Sequence, residues 1–238
     1  MNIAIILAGG VGSRVGAGIP KQFVEIFDKP VIIYTLEKFQ NHKYIDQILV
    51  VCVAPYLQKM KELTDQFHIT KVKWIIPGGD TFQNSVIQGV NFLEDKVNNG
   101  DIVLIHYGAS PFVSEEIISD SIRVCCEKGN CVSATPVFLL MGNNKGDHSN
   151  KFVDRDKLMA LNSPQAFKFQ IVRDLYREAK QKNILDNIEP HTTSLMFALG
   201  KTIYFSKGDQ TNIKITTKED LELLKGYVLL EKFKNHEI

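Results

Sequence analysis

A cluster of small residues near the amino terminus is the first segment whose composition suggests chemistry. Gly9, Gly10 and Gly12 follow a short apolar run and precede Arg14. Glycines at such a place let backbone N–H groups approach phosphate oxygens without an intervening side chain. The segment is neither a Walker loop nor a Gly-x-Gly-x-x-Gly motif, because no Gly-Lys-Ser/Thr follows and the third glycine position is Val15. A tight strand-to-helix turn without a ligand is therefore the alternative.

A second cation follows Arg14 in the same region of the chain. Lys21 lies in the sequence Pro20-Lys21-Gln22, so a guanidinium and an ammonium stand where polyphosphate oxygens would lie. Phosphoryl and nucleotidyl transfer need mainly positioning and neutralisation of spreading negative charge, and two such cations can supply both. A pair of solvated surface cations is the alternative, but it explains neither the glycines nor the proline.

Apolar runs alternate with amphipathic segments and predict the elements that must position this loop. Runs rich in Val and Ile predict strands at residues 3–7, 48–53, 72–76, 102–106 and 131–135. Helical spacing of apolar residues predicts helices at residues 31–40, 56–67 and 84–94, one that begins at Ser114, and one over residues 217–235. This order predicts an α/β fold with a doubly wound, mostly parallel Rossmann-like sheet. Ligands bind at the carboxyl ends of the strands in such sheets.

A segment at about residues 138–154 interrupts this alternation. Its start is apolar, and it then becomes polar and rich in Gly and Asn, which predicts either a protruding hairpin or a mobile loop. Apolar residues in a protruding segment favour contact with another subunit. No repeat or linker is visible, so we expect a single domain over residues 1–238, with a projecting β-arm that forms a homodimer.

Composition excludes several classes of protein. The 238 residues are 44% apolar and 23% charged, which excludes a disordered or fibrous chain. A net charge of +1 argues against nucleic acid or an anionic membrane as a partner. Neither a signal peptide nor a membrane span is predicted, and four cysteines without a Cys-x-x-Cys pair favour structural thiols. We therefore expect a cytoplasmic protein.

Motifs along most of the chain together resemble one family. After Gly-Gly…Arg and Pro-Lys-Gln, the matching segments are, in order, Gly78-Gly79-Asp80 with Ser85, Val86 and Gly89, then residues 134–137, Arg155, residues 163–167, residues 212–216 and residues 219–221. Spread over residues 3–221, they resemble the cytidylyltransferases that join CMP to a polyol phosphate. These enzymes act on methylerythritol 4-phosphate or ribitol 5-phosphate.

The resemblance implies a nucleotidyltransferase with a CTP site. The residues that it places around the nucleotide are Leu7, Ala8, Gly9, Gly10, Gly12, Gly79, Asp80 and Ser85. It implies catalytic roles for Arg14, Lys21 and Lys214, which would stabilise the α-phosphorus while an acceptor phosphate attacks and pyrophosphate leaves. The attacking phosphate is already an anion, so no general base is required. Mg²⁺ is the expected cofactor, held mainly by substrate phosphates rather than by a protein metal site.

The sequence departs from the family pattern where the acceptor would bind. The family's fourth strand ends His-Asp-Ala-Ala-Arg-Pro-Phe, whereas Tyr107 and Ser110 occupy the Asp and Arg positions here. Phe82 replaces an Arg, residues 139–140 replace an Asp-Thr pair, and a Thr-Asp-Asp/Glu-Ala-Ser motif has become residues 190–194. The nucleotide half is thus kept, and the acceptor half is rewritten.

These changes leave three interpretations open. We favour a different phosphorylated acceptor, an alditol phosphate used for a cell-envelope or capsule precursor. The candidate acceptor contacts are Tyr107, Ser110, Arg155 and His191. Methylerythritol phosphate of isoprenoid synthesis is the alternative within the enzyme class, and a catalytically inactive CTP-binding protein is the alternative outside it. The cations persist, which favours catalysis.

One further histidine is interpreted as structural. His106 ends an apolar run, which predicts a buried, hydrogen-bonded side chain rather than a general base. The six histidines of the chain show no metal-ligand spacing, which argues against a zinc site.

Overall fold

The computed structural model of the protein describes residues 1–10 and 18–236. Its strands are β1 (Asn2–Ala8), β2 (Glu25–Ile26), β3 (Lys29–Pro30), β4 (Gln47–Cys52), β5 (Val72–Pro77), β6 (Ile102–Tyr107), β7 (Asn130–Pro136), β8 (Met141–Gly142), β9 (Phe152–Val153), β10 (Met159–Lys168) and β11 (Phe205–Lys207). Its helices are α1 (Val31–Gln40), α2 (Leu57–Gln66), α3 (Phe82–Leu93), α4 (Glu115–Lys128), α5 (Phe169–Gln181), α6 (Thr192–Ala198) and α7 (Lys218–Lys234).

A mostly parallel sheet forms the centre of the fold, in the order β11-β7-β10-β6-β1-β4-β5. β1 lies between β4 and β6 and is parallel to both, β5 is parallel to β4, and β11 is parallel to β7. β10 alone among these strands is antiparallel to its neighbours β6 and β7. The predicted α/β fold is confirmed, and each of the predicted strands is present.

Helices cover both faces of this sheet, which explains why its inner strands are continuously apolar. Ala4 and Ile6 of β1 face α1, α2 and α4, whereas Ile3 and Ile5 face α3, α5 and α6. All four side chains are completely buried. Full burial of a large aliphatic side chain contributes about 1.5–3 kcal/mol. β1 is therefore firmly anchored, and so is the start of the glycine segment that follows it.

The predicted last helix is confirmed as α7. Thr217 caps it: the Thr217 hydroxyl accepts from the Asp220 N–H at 3.3 Å, and the Asp220 carboxylate accepts from the Thr217 N–H at 2.9 Å. This is a capping box, which satisfies two backbone donors at the start of the helix. Apolar residues of α7 pack against α1 and the β2–β3 hairpin in a separate cluster. The segment that precedes α7 is thereby tied to the amino-terminal half of the chain.

Four elements of the carboxyl-terminal half were not predicted: β10, α5, α6 and β11. β10 contains Pro164, which cannot donate to a ladder, and its pairing with β7 shifts register between Leu161 and Gln165. Its sequence therefore lacks the pattern of a regular strand. α5, by contrast, buries residues at helical spacing, beginning with Phe169, Val172 and Leu175, so this helix was predictable.

The arm has a hairpin at its centre rather than an open loop. β8 and β9 pair antiparallel, with Met141 opposite Val153 and Gly142 opposite Phe152. The apolar residues of the arm face outward: Leu139 and Leu140 are 76% and 83% exposed, and Phe152 is 68% exposed. Of the two structures predicted for this segment, the hairpin is the one observed.

Three of the four cysteines are packed thiols, as composition predicts, and one is not. Cys52, Cys125 and Cys131 are buried and free, and burial raises the pKa of Cys131 to about 11. Cys126 is exposed, because it lies on the outer side of α4, so the interpretation of all four as packed thiols is wrong for this residue.

Within the described ranges, no helix combines the length and apolarity needed to cross a bilayer.

His106 is a structural residue, as its sequence context predicts. It is completely buried near the end of β6, and its Nε2 donates to the carbonyl of Ser110 at 3.0 Å. Burial lowers the pKa of His106 to about 4, although the bond to Ser110 opposes this effect. The ring is therefore neutral in the folded protein at pH 7.

We predict that His106 makes the fold sensitive to mild acid. Its pKa is about 6.5 in the unfolded chain and about 4 in the folded one, so the unfolded state binds the proton more tightly. Stability is fully present above pH 6.5, and about 3 kcal/mol is lost as the pH falls to 4. Urea unfolding of the wild type and of His106→Gln at several pH values measures this loss. Equal pH dependence in the two proteins would contradict it.

Candidate active site

A cleft of about 340 Å³ opens at the carboxyl ends of β1 and β6, where a doubly wound sheet binds its ligands. Its lining residues are Leu7, Gly9, Gly10, Lys21, Gln22, Gly79, Asp80, Thr81, Phe82, Ser85, Tyr107, Ala109, Lys214 and Thr216. Most of the predicted nucleotide residues and two of the three predicted cations therefore meet in one place. We call this the nucleotide cleft. Gly12 and Arg14 lie outside the described residues.

The loop before α3 is held in shape by Ser85. The Ser85 hydroxyl accepts from the Gly79 N–H and donates to the Gly79 carbonyl, both at 3.2 Å. Gly79 leaves no room for a side chain, because an added Cβ would lie 2.4 Å from Cβ of Asn84. Ser85 is itself buried. This loop presents the exposed carboxylate of Asp80 to the cleft, and Ser85 acts on the cleft through the loop backbone.

Ala8 supports the cleft from behind and does not line it. Its side chain is buried, and its carbonyl accepts from Gln22 Nε2 at 2.7 Å and from the Val53 N–H at 3.3 Å. Ala8 is therefore not among the residues that line the cleft, and its expected contact with the nucleotide through the backbone stays a prediction. Gln22, which sequence analysis named only within a motif, fixes the end of β1.

Lys21 and Lys214 come from opposite ends of the chain and meet through the segment before α7. Lys21 follows Pro20 in a 3-10 turn and is only 9% exposed. Its ammonium donates to the carbonyl of Ile215, the residue next to Lys214. The Ile215 N–H in turn donates to the carbonyl of Ala109 at 2.8 Å. A buried cation requires such partners, and here the partner is the segment that carries the second cation.

An aromatic cluster of Phe82, Tyr107 and His191 stands at one side of the nucleotide cleft. Its ring centroids lie 5.4–6.0 Å apart, and the Tyr107 hydroxyl lies 2.6 Å from His191 Nδ1. The ammonium of Lys214 lies 3.8 Å from the centroid of the Tyr107 ring, which is a cation–π contact. All three members replace residues that are charged in the family pattern. Three of the departures noted in the sequence are therefore in contact with one another, whereas Ser110 is buried in the core and residues 139–140 are exposed on the arm.

Burial sets the protonation states of Tyr107 and His191. Burial raises the pKa of Tyr107, and the negative charge of Glu189 adds to the effect. Burial lowers the pKa of His191, as does the charge of Lys214, while Glu189 opposes them. At neutral pH the phenol is protonated and the imidazole is neutral. The Tyr107 hydroxyl can then donate to Nδ1, which leaves the N–H of His191 on Nε2, 3.6 Å from the Glu189 carboxylate.

A second cleft, of about 460 Å³, lies on the other side of Tyr107. Its lining residues are Tyr107, Leu161, Asn162, Gln165, Glu189, His191, Thr193, Ser194, Phe197 and Lys214. We call it the acceptor cleft. Tyr107 and Lys214 line both clefts, so one cation is available to both. Asn162 was not predicted, whereas Gln165 and Ser194 lie within segments that were compared with the family motifs.

Two predicted acceptor contacts are not brought to this cleft. Ser110 is completely buried, and its carbonyl accepts from His106, so it cannot touch an acceptor from this position. Arg155 is exposed at the base of the arm and donates to the carbonyl of Phe138. It lines neither cleft in a single chain. The structure thus corrects the expectation for Ser110 and leaves Arg155 on the arm.

Comparisons with known proteins agree with this geometry. The family model described as 2-C-methyl-D-erythritol 4-phosphate cytidylyltransferase matches residues 2–229. A ribitol-5-phosphate cytidylyltransferase of Lacticaseibacillus paracasei is 44% identical and covers 96% of this chain and 98% of its own. A protein of the same name from Vibrio parahaemolyticus is 37% identical over 96% of each chain.

Methylerythritol enzymes are also similar to this chain. A 2-C-methyl-D-erythritol 4-phosphate cytidylyltransferase of Clostridium tetani is 37% identical and covers 98% of this chain and 92% of its own. The crystal structure of the Francisella tularensis enzyme of that name shares the fold, with a TM-score of 0.78, 24% identity and coverage of 94% and 97%. The chain therefore belongs to the 2-C-methyl-D-erythritol 4-phosphate cytidylyltransferase family and is a nucleotidyltransferase.

Proposed function

We propose that this protein transfers CMP from CTP to ribitol 5-phosphate, or to an alditol phosphate of closely similar structure, and releases pyrophosphate. The observation that carries the proposal is the position of Lys214, which lines both the nucleotide cleft and the acceptor cleft. A phosphate in one cleft and a nucleotide in the other would then approach each other beside a cation. The name shared by several of its relatives supports ribitol phosphate as the acceptor.

The nucleotide would lie against backbone rather than side chains. Gly9 and Gly10 line the cleft, and their main-chain N–H groups would donate to phosphate oxygens there. The Asp80 carboxylate lines the cleft, where it would accept from the exocyclic amine of cytosine. Gly12 and Arg14 are expected to complete the phosphate site, as the family resemblance implies.

Catalysis would rest on positive charge rather than on proton transfer. An oxygen of the acceptor phosphate attacks the α-phosphorus of CTP, the bond from that phosphorus to the bridging oxygen breaks, and pyrophosphate leaves. Lys21 and Lys214 would stabilise the negative charge that accumulates on the α-phosphate. The catalytic effect is large where such cations are fixed before the reaction and partly shielded from water. Lys21 is fixed by Ile215, and Lys214 lies on the face of Tyr107.

Magnesium would be carried mainly by the substrate. Among the described residues, no group of three His, Cys, Asp or Glu side chains is placed to hold a metal ion, and Asp80 is the carboxylate that lines the nucleotide cleft. Such a cleft fits Mg²⁺ that takes phosphate oxygens and water as its ligands, while Asp80 is left to bond the base. The ion would supply further neutralisation of phosphate charge.

The acceptor cleft is suited to a chain of hydroxyl groups. Asn162, Gln165 and Ser194 are neutral donors and acceptors, and His191 can add an N–H. The Gln165 Oε1 atom is buried and has no hydrogen-bond partner in the described structure, so a small rotation would let it accept from a hydroxyl. A site built to bond hydroxyls discriminates strongly against analogues that lack them. An alditol phosphate matches this set of side chains.

We predict pyrophosphate release from CTP with ribitol 5-phosphate, and at least tenfold lower kcat/KM with methylerythritol 4-phosphate. The physical reason is that the neutral polar side chains of the acceptor cleft can bond the row of free hydroxyls of ribitol 5-phosphate. Methylerythritol 4-phosphate has one hydroxyl fewer and a methyl group, which would leave polar side chains of the cleft unpaired. A coupled pyrophosphate assay over a panel of phosphorylated alditols measures this preference. Equal or better turnover of methylerythritol phosphate would contradict the acceptor assignment. Tight CTP binding without release from any acceptor would contradict catalysis.

We predict that Lys21→Met lowers kcat about 10²–10³-fold, since one preorganised electrostatic donor typically contributes that much. The variant keeps the length of the side chain and removes its charge together with the contact to Ile215. Lys73→Met is the matched control, because Lys73 is exposed on β5 and lines neither cleft. Steady-state rates are compared after thermal melts show both variants folded. An unchanged kcat in Lys21→Met would exclude Lys21 from the mechanism.

We also propose that two copies associate through the arm, and that the protein works in the cytoplasm. The outward-facing Leu139, Leu140 and Phe152 form an apolar surface that is costly in water. Exchange of arms would bring the Arg155 guanidinium toward the acceptor cleft of a second copy. Within a single chain, Arg155 lines neither cleft.

We predict a wild-type dimer that Leu140→Asp dissociates, because a carboxylate would have to be buried in the contact. Asn144→Asp adds the same charge at an exposed polar position of the arm and should leave the dimer intact. Light scattering after size exclusion measures the mass. A monomeric wild type, or a dimeric Leu140→Asp protein, would rule out association through the arm.

A further inference from the structure

A buried polar network lies beneath the acceptor cleft, made of Gln83, Tyr176 and Thr192. These residues come from α3, α5 and α6 and are 3%, 4% and 0% exposed. The Tyr176 hydroxyl donates to Gln83 Oε1 at 2.8 Å and lies 2.9 Å from the hydroxyl of Thr192. The Gln83 amide then donates to the carbonyl of His191 at 3.3 Å. The network thus ends on the main chain of an acceptor-cleft residue.

The surroundings of this network are apolar. Tyr176 belongs to the same packed cluster as Val172, Leu175 and Leu195. Polar groups in such a place cost free energy unless every one is hydrogen-bonded, and a fully bonded network fixes a single geometry more strongly than apolar packing does. These three side chains therefore fix the orientation of the groups that they bond, in addition to filling space in the core.

His191 is the residue whose orientation depends on them. It immediately precedes α6, and its side chain makes no capping bond to that helix, so the ring is free for another use. Gln83 holds the His191 carbonyl, while the neighbouring Phe82 packs on the ring at a centroid distance of 5.4 Å. The first turn of α3 thus holds His191 at its carbonyl and at its ring.

We propose that Tyr176 is a positioning residue for the acceptor: through Gln83 and Thr192 it fixes the main chain at His191, and so aims the imidazole at Tyr107 and the acceptor cleft. The proposal rests on the function proposed above, in which His191 contacts the acceptor. Tyr176 itself is behind α6 and lines neither cleft.

The test is Tyr176→Phe, which keeps the ring and removes the hydroxyl. We expect the KM for ribitol 5-phosphate to rise about tenfold, since a misplaced contact loses its bond energy, while kcat and the KM for CTP change less than about twofold. Equal rises in both KM values, or no rise in either, would overturn the proposal. A merely structural role would not separate the two substrates.

Two further comparisons separate positioning from general destabilisation. Thr192→Val should raise the acceptor KM as Tyr176→Phe does, whereas Thr192→Ser keeps a hydroxyl and should leave it unchanged. Tyr34→Phe removes a phenol bond to the carbonyl of Ile26 at a site away from both clefts, and it should change neither KM. A selective rise of the acceptor KM in Tyr34→Phe would overturn the argument.

A substrate-free measurement distinguishes failure of this proposal from failure of the proposed function. The groups that face His191 are Tyr107, Glu189 and Lys214, and burial with the Lys214 charge lowers its pKa. NMR titration of the His191 ring, assigned with His191→Asn, should show a pKa below 6.5 in the wild type and a rise toward 6.5 in Tyr176→Phe. An identical pKa in the two proteins would overturn the positioning role, whichever acceptor the enzyme uses.

Discussion

The contact between the Lys21 ammonium and the Ile215 carbonyl is the constraint on which the site depends. It joins a residue near the start of the chain to one near its end. Without it, the segment that carries Lys214 would lose one of its ties to the amino-terminal half of the chain. The backbone bond to Ala109, the hydrogen bonds of Asn212 and Thr216 and the packing of Ile215 would remain. With it, two cations share one narrow region of the sheet edge. The two ammonium groups repel each other before substrate binds, and the contacts that hold the two segments together offset this cost.

The aromatic cluster shows how charged residues on the acceptor side can be replaced while the side chains there stay in contact with one another. In the family pattern the positions of Phe82, Tyr107 and His191 carry charges of both signs, which could pair with one another. A single change to a neutral residue would leave a buried charge without its partner, at a cost of several kcal/mol. Here all three positions are uncharged at neutral pH and contact one another, and Lys214 rests on the Tyr107 ring instead. The replacements are mutually compatible, which explains why they occur as a set.

Much of the nucleotide half could be predicted from sequence, because its determinants are local. A glycine after an apolar strand can be recognised from a few neighbouring residues, and Gly9 lines the nucleotide cleft. Gly79 and Asp80 line it too, but they were expected there from the family resemblance. The acceptor half was harder to predict from sequence. The acceptor cleft is lined largely by β10 and α6, and the pattern of β10 is broken by Pro164. Ser110 is the instructive error: it occupies the position of a family arginine, but a small side chain there sinks into the core and no longer reaches the cleft.

The first turn of α3 couples the two halves. Thr81, which caps this helix, and Asp80 before it line the nucleotide cleft, whereas Phe82 and Gln83 hold His191 beside the acceptor cleft. Because these four residues are consecutive, a shift of the turn on nucleotide binding would move the support of His191 by a similar amount. The backbone of the turn is stiff, since Thr81 caps the helix and Ser85 bonds Gly79 on both sides of its peptide. A stiff shared element transmits small displacements with little loss, so binding of one substrate is expected to change the affinity for the other. Among the described residues, Tyr107 and Lys214 line both clefts.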